Sequence, residues 1–324
     1  MRKLAVLAVA IIVLATIGAS YQLSANLVKT SNVVKIGYIP LALSLPVFVA
    51  EENGYFGSEG VKYGLVEMES TDSILKALVN NEIDAAFEVS LAPVLAFEEN
   101  NPDSIRIFSV SSLTTDKPFD SILVKADSDI RSLKGLEGKK LGIFPGETGR
   151  VLTVLFKNFL KYKNVDSDKI TFVKLLPDGQ LESLNSGSVD AVLTFEPTVT
   201  QIIEELGARR LYGSFLANQL NYNPQGAAIF TTEFLKDNPE YAKKIMNVFD
   251  EAVNYRRLNE AGTRKILAGA LDIDTNVADN MVLFEMVKNS EVNKEAVQAY
   301  INLLYKTDLL GKKLDAYKLV YSGS

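Results

Sequence analysis

Any chemistry in this 324-residue chain has to proceed without histidine and without cysteine, because neither occurs in it. That removes the commonest general base and metal ligand, and with them thiolate nucleophiles, thiolate metal sites and disulfides. Carboxylates, Arg, Lys, Tyr, hydroxyls and backbone amides remain. Three carboxylates stand at the ends of short apolar runs: Glu88 in Phe87-Glu88-Val89-Ser90, Glu147 in Phe144-Pro145-Gly146-Glu147-Thr148-Gly149-Arg150, and Glu196 in Phe195-Glu196-Pro197. A carboxylate there would pair with an amine or accept from a ring N–H. Arg150 and the free N–H groups of a helix start after Gly146 would hold an anionic or polar group.

Each of these positions also has a structural use. Ser90 and Thr148 suit plain helix caps, Pro197 suits a first helical turn, and Asp178 in Pro177-Asp178-Gly179-Gln180 reads as an N-cap. Asp272, Asp274 and Asn276 begin like a calcium loop, but Val277 replaces the glycine of the turn and Leu283 the final glutamate, so the segment reads as a loop. Nothing in the sequence asks for a metal or a cofactor.

The elements that must position these groups follow an α/β rhythm. Val34, Ile36 and Tyr38 alternate with polar or small residues before Pro40, a strand leading into a polar corner, 40–45, that holds Leu43 and Ser44. Pro46 then opens a helix that Gly54 or Gly57 ends. Strand runs at 61–68, 82–87 and 105–110 alternate with helical periods at 72–79 and 91–99, the pattern of a mostly parallel sheet covered on both faces. In such sheets ligands meet the corners after the strands' carboxyl ends. A polar run at 111–118, holding Thr114, reads as a crossing, with an extended run at 121–125 beyond it. The alternation restarts with strands at 140–144, 170–175, 189–195 and 210–212, and helices at 151–160, 181–184 and 198–206. Residues 221–226, holding Asn223, read as a second crossing, and 227–230 as a strand returning to the first unit. The rest is helical, with apolar faces through Tyr241, Ile245, Val248, Phe249, Ala252 and Tyr255, and through Val297, Tyr300, Ile301 and Leu304.

The length suits about two domains. A hydrophobic content of 47% with 23% charged residues is that of a globular chain, and a net charge of −6 argues against a nucleic-acid surface. Met1-Arg2-Lys3 followed by uncharged residues 4–19 has the form of a secretory signal, with small residues at Gly18 and Ser20 near a cleavage point. The run is short of the about 20 residues that span a bilayer. Removing Arg2 and Lys3 takes the net charge from −6 to −8.

Several short motifs then occur in a telling order. Ile36-Gly37-Tyr38 with Pro46, Glu51-Glu52-Asn53-Gly54-Tyr55-Phe56 and Glu59-Gly60-Val61 open the chain. Ala77-Leu78 with Asn81-Glu82-Ile83-Asp84-Ala85, and Gly187-Ser188-Val189-Asp190-Ala191 before Phe195-Glu196-Pro197, follow. Together the chain resembles the THI5-like and nitrate/sulfonate/taurine-type substrate-binding proteins of ABC importers. The resemblance implies a type II periplasmic-binding fold, two doubly wound α/β lobes joined by two crossings with a helical C-terminal segment. Lobe one is expected at 33–115 plus 225–324, lobe two at 116–224 and the signal at 1–20. It implies a monomer, periplasmic or extracellular, that captures a small polar solute and presents it to a membrane permease. The solute is expected to be sulfonate-, taurine-, nitrate- or pyrimidine-like, without nucleic acid and without catalysis.

Expected ligand contacts are Leu43, Ser44, Glu88, Ser90, Thr114, Gly146, Glu147, Thr148, Arg150, Asp178, Glu196 and Asn223. Two departures from the family pattern bear on the ligand. Related sulfonate binders often carry hydroxyl residues and a histidine at the corner where this chain has Glu147, Thr148 and Arg150, and Phe195 replaces a common tryptophan. The alternatives from other classes are a carboxylate-dependent enzyme on the same fold and a sensor domain retained on the membrane by residues 4–19. The pyrimidine synthases that resemble the family rely on histidine and cysteines, which this chain lacks.

Overall fold

Val33–Tyr38 (β1) buries Val34 and Ile36 and leaves Val33 and Lys35 exposed. A 3-10 turn, Ala42–Ser44, leads into α1 (Leu45–Glu52), where Pro46 sits in the first turn and its missing N–H costs nothing. Gly54, at φ +67°, turns the chain into the short α2 (Tyr55–Ser58). β2 (Lys62–Glu67) returns parallel to β1, with Ile36 opposite Leu65. α3 (Thr71–Val79) starts at a capping box in which Ser70 and Ser73 satisfy each other's backbone N–H at 3.1 Å. β3 (Ala85–Ser90), α4 (Leu91–Asn100) and β4 (Ile105–Leu113) complete this part. The structure is a computed structural model that describes residues 33–220 and 222–323. The stretch 1–20 read as a secretory signal lies outside them.

The chain then builds a second sheet from β5 (Asp120–Val124), β6 (Lys140–Ile143), β7 (Thr171–Lys174), β8 (Ala191–Phe195) and β9 (Arg209–Gly213), in the order β7-β6-β8-β5-β9. α5 (Gly146–Tyr162) follows β6, α6 (Pro177–Ser186) follows β7 and α7 (Thr198–Leu206) follows β8. β10 (Asn223–Thr231) goes back to the first sheet, whose order is β11-β4-β10-β3-β1-β2. The C-terminal part comprises α8 (Thr232–Asp237), α9 (Pro239–Leu258), α10 (Glu260–Leu271), α11 (Thr275–Asn280), β11 (Glu285–Met286), α12 (Lys294–Lys306) and α13 (Ala316–Leu319).

Two readings of the sequence are corrected here. Both sheets are mixed rather than mostly parallel: β1, β2 and β3 run parallel, while β10 pairs antiparallel with β3 and β4. In the second sheet β6 is parallel to β7 and β8, but β5 is antiparallel to β8 and β9. A strand that enters a sheet from the other sheet arrives at the carboxyl edge of its neighbours, which forces the opposite direction. The polar run 111–118 is not all crossing either. Ser111, Ser112 and Leu113 extend β4, paired with β10 and β11, and are buried. In the same way Asn223, Pro224 and Gln225 belong to β10. The crossings are therefore short, from Thr114 to β5 and from Ser214 to β10.

This topology has a geometric consequence. The carboxyl ends of β1, β3 and β4 share one edge of the first sheet with the start of β10. In the second sheet the start of β5 lies at the end of β8, with Asp120 opposite Phe195. Both crossings leave these edges, so they tie the two edges to one another. The C-terminal segment adds further contacts across this junction. Phe284 meets Phe119 edge-on with ring centroids 5.6 Å apart, Lys117 pairs with Glu285, and Glu204 of α7 accepts from Asn276 and Asn280 of α11. Behind the first sheet, Phe249 of α9 meets Phe87 and Phe108 at 5.4 and 5.6 Å, all three fully buried. Each such ring contributes roughly 1.5–3 kcal/mol of hydrophobic stabilisation.

Candidate functional site

Glu88 is the most unusual side chain at the carboxyl edge of the first sheet. Ala227 lies opposite Val89 and Ile229 opposite Ala86, so β3 carries one residue more than β10 between these pairs, a β-bulge. Glu88 sits within it at φ +53°, a left-handed conformation that costs a non-glycine residue about 1 kcal/mol or more. Its side chain is buried, and neither carboxyl oxygen has a hydrogen-bond partner. It lies over Gly226 of β10 beside Ser111 of β4, where a Cβ on Gly226 would overlap both Glu88 Oε2 and Ser111 Oγ. Burial pushes the Glu88 carboxyl up to about 8, with the Ser111 hydroxyl pulling the other way and no charged side chain contributing.

The same edge gathers other unpartnered hydroxyls. Ser44 precedes α1 without capping it, and its buried Oγ has no partner; the turn that carries it packs on β3. Leu43 in that turn is half-buried against the core. Ser111 Oγ is likewise buried, with the Glu88 carboxyl as its neighbour. Ser90 stands before α4 without making a side-chain cap, and its N–H donates to Thr71 Oγ1 at 3.3 Å.

On the second sheet the chain turns at Gly146, φ +69°, straight into α5, with Pro145 as its N-cap. Thr148 is therefore the third residue of the helix and exposed, so it is not the N-cap that its residue type would also suit: the cap is Pro145, three residues earlier. No side chain caps α5, which leaves the first N–H groups of a 17-residue helix available to an anion. The Arg150 guanidinium does not point to a ligand unaccompanied. Its Nε and Nη2 donate to Glu147 at 2.5–3.0 Å, a bidentate pair one turn apart that pushes the arginine's pKa up.

Asp178 is also not an N-cap. Pro177 opens α6 after Leu176, and the exposed Asp178 supplies negative charge to the first turn. Glu196, 5% exposed, has both oxygens engaged: Oε2 accepts from Thr200 N at 3.0 Å and Oε1 from Val282 N at 3.3 Å. Burial raises its pKa, and these bonds oppose the rise. It joins α7 to the C-terminal segment. Pro197, expected in the first helical turn, is instead the residue before α7. Asn223 is buried at the start of β10 rather than in the second crossing; its Nδ2 donates to Leu216 O at 2.5 Å and its Oδ1 accepts from Gln225 at 2.7 Å. Thr114 opens the first crossing and bridges to Lys117.

Four residues of these edges were not singled out from the sequence. Besides Ser111, they are Gln180, Thr194 and Asp120. Gln180, in the first turn of α6, is fully buried with neither amide atom partnered, and Thr194, at the end of β8, is buried with a free Oγ1. Asp120 holds Phe215 N on Oδ2 at 2.7 Å while Oδ1 is free, and burial pushes its carboxyl up to about 7. Buried polar atoms without partners are few in native proteins and call for a ligand, water or ion to complete them. Here they stand at or near the carboxyl ends of strands in both sheets, on the edges from which the crossings leave. An open depression of about 570 Å³ beside Lys134, Lys157 and Lys161 lies at the far end of α5, and Lys134 and Lys157 are paired there with Glu137 and Asp168. Among the described residues no cluster of acidic groups is placed to hold a metal, and no helix is long and apolar enough to cross a membrane.

Two α/β units joined by two crossings, with unpartnered polar groups on the joined edges, define a two-lobed solute-binding fold. The crystal structure of the periplasmic aliphatic sulphonate binding protein of Escherichia coli superposes with a TM-score of 0.73 at 19% identity, over 90% of this chain and 92% of that one. The family model described as NMT1/THI5 like matches residues 43–259, and the chain belongs to that family. A putative aliphatic sulfonates-binding protein of Bacillus subtilis is 27% identical over 300 residues, 90% of this chain and 86% of the relative. A 4-amino-5-hydroxymethyl-2-methylpyrimidine phosphate synthase of Saccharomyces cerevisiae is 24% identical over 231 residues, 68% of this chain and 65% of its own length.

Proposed function

We propose that this protein is the extracytoplasmic substrate-binding component of an ABC importer, a monomer that captures a small polar organic anion and delivers it to a membrane permease. The lobes are 33–115 plus 225–324 and 116–224, and the solute lies between them. The observation that carries this reading is the placement of Ser44, Glu88, Gln180 and Thr194, buried and unpartnered, on the two edges joined by the crossings. The uncapped start of α5 takes the anionic end, through the amides after Gly146. The sulfonate class is supported by what the Bacillus and Escherichia relatives are named for. Residues 1–20 act as the export signal.

The similarity to a pyrimidine synthase supports a second reading, an enzyme, and a neutral Glu88 would suit a general acid. Against it stand the absence of histidine and cysteine from the chain and a match to a binding protein over 90% of this chain, against 68% for the synthase. Thermal unfolding of the mature protein with millimolar methane-, ethane- and butanesulfonate, nitrate and aminopyrimidines tests the proposal. A ligand at about 1,000 times its Kd adds about 4 kcal/mol, a rise of several degrees. A rise with the sulfonates is expected; one confined to aminopyrimidines, with chemical turnover, would favour the enzyme.

A further inference from the structure

We infer that the edge of the second sheet where β6, β7 and β8 begin is a docking surface for a bilayer of anionic phospholipid, with Tyr162 at its centre. This edge lies opposite the one from which the crossings leave, and α5 ends on it at Tyr162. Residues 125–140 and 157–169 surround it and hold nine basic and five acidic side chains, in a chain whose net charge is −6. Pairing sharpens that imbalance. Lys134 meets Glu137 at 2.6 Å, Lys139 meets Asp129 at 3.8 Å, Lys157 meets Asp168 at 3.2 Å and Lys169 meets Asp166 at 3.4 Å. Among the described residues this leaves Lys125, Arg131, Lys140, Lys161 and Lys163 without an acidic partner, against Asp127 and, beside the Lys140 amide, Asp190.

A second observation is the aromatic ring. Tyr162 is 78% exposed in the last turn of α5, between Lys161 and Lys163, and its ring packs on no other aromatic ring among the described residues. A tyrosine set among lysines suits a headgroup layer, where the phenol stays wet, the ring meets the upper acyl chains and the ammonium groups meet phosphates. A soluble polyanion would engage the lysines and leave the ring in water. Beside Tyr162, the open depression of about 570 Å³ lined by Lys134, Lys157, Lys161, Asn158 and Asn164 is large enough for a phosphate headgroup. Because the solute cleft lies at the opposite edge, docking here leaves it open. On the proposed function the contact holds the receptor at the bilayer that carries its permease, while the contact itself does not depend on the solute.

Co-sedimentation of the mature protein, freed of residues 1–20, with vesicles of phosphatidylcholine alone and of an equal mixture with phosphatidylglycerol tests this. At low salt the anionic vesicles should retain at least about tenfold more protein, and about 0.5 M salt should abolish the excess. Tyr162→Ala and the double variant Lys161→Glu/Lys163→Glu should each lower retention at least about threefold. Lys312→Glu/Lys313→Glu, the same change of charge on the other lobe, should leave it unaltered; all these residues are exposed, so the fold is kept. No excess on anionic vesicles overturns the inference, and so does an equal loss in the two double variants, which would make retention an effect of net charge. Retention unmoved by Tyr162→Ala, or a short DNA duplex bound at least as tightly as the vesicles, overturns lipid as the partner. The protein is free of solute throughout, so a failure of the solute reading leaves this test standing.

Discussion

The carboxyl of Glu88 lies against Gly226 so closely that no side chain fits at 226 without displacing it, although the two residues are 138 positions apart in the chain. β3 and β10 lie on either side of the whole second sheet in the chain, and their pairing builds the slot. Gly226→Ala should therefore expel Glu88 and Ser111 from their positions. Urea unfolding should record a loss of about 1–3 kcal/mol, and ligand affinity should fall by more than that loss of stability alone explains. An unchanged affinity would separate Glu88 from the site.

The buried acid also sets a pH dependence. Its folded pKa, about 8, lies above the ordinary glutamate value of 4.5, so the folded protein keeps a proton that the unfolded chain has lost. Between these values the unfolded state binds fewer protons, and stability falls as pH rises, by about 1.4 kcal/mol per unit for one group. Asp120 acts in the same sense up to about 7. Stability contributed by these acids is thus fully present below the unfolded pKa and lost as pH climbs through the folded one. Glu88→Gln should flatten the fall measured by urea unfolding between about pH 5 and 8; an unaltered slope would mean the carboxyl is not buried as an acid.

Glu196 ties α7 to the C-terminal segment. Its oxygens serve Thr200 N and Val282 N, so Glu196→Ala would strand two amides at the seam between α7 and the C-terminal segment. A loss of about 2–4 kcal/mol is expected from chemical denaturation, and Glu196→Gln, which keeps one acceptor, should lose less. Equal losses in both variants would point to charge rather than hydrogen bonding.

Phe249 joins Phe87 and Phe108 behind the first sheet, and Phe249→Ala should cost about 3–5 kcal/mol. The same melting experiment with ligand present should show the ligand's increment unchanged. A lost increment would mean that packing behind the sheet reaches the binding edge.

Much of this organisation is legible in the sequence, and the parts that are not share a cause. β1, the corner and α1 announce themselves through alternation, Pro46 and Gly54, all local signals. Glu88, Glu147 and Glu196 are conspicuous because a charge at a strand's end has no packing role to explain it. Ser111, Thr194 and Gln180 give no such signal: a polar residue in a strand or first helical turn looks solvated until tertiary packing buries it. Ser111 to Leu113 were read as crossing for the same reason, since alternation fails where both faces of a strand are covered. The N-cap alternatives for Thr148 and Asp178 fail because Gly146 and Pro177 start their helices earlier than the apolar periodicity does. Asn223 lies in β10 rather than in the crossing, and the partners of Glu196 and Asn223, Val282 and Leu216, lie in irregular segments that no spacing rule reaches.

The central claim is that the two edges joined by the crossings hold one small anionic solute. Calorimetric titration of the mature protein with a series of alkane- and aminoalkanesulfonates addresses it most directly. The account predicts one molecule bound per chain, with a Kd of about 10 μM or tighter for at least one member and weaker binding in Glu88→Gln. No heat and no rise in melting temperature with any member, from a folded protein, would contradict it.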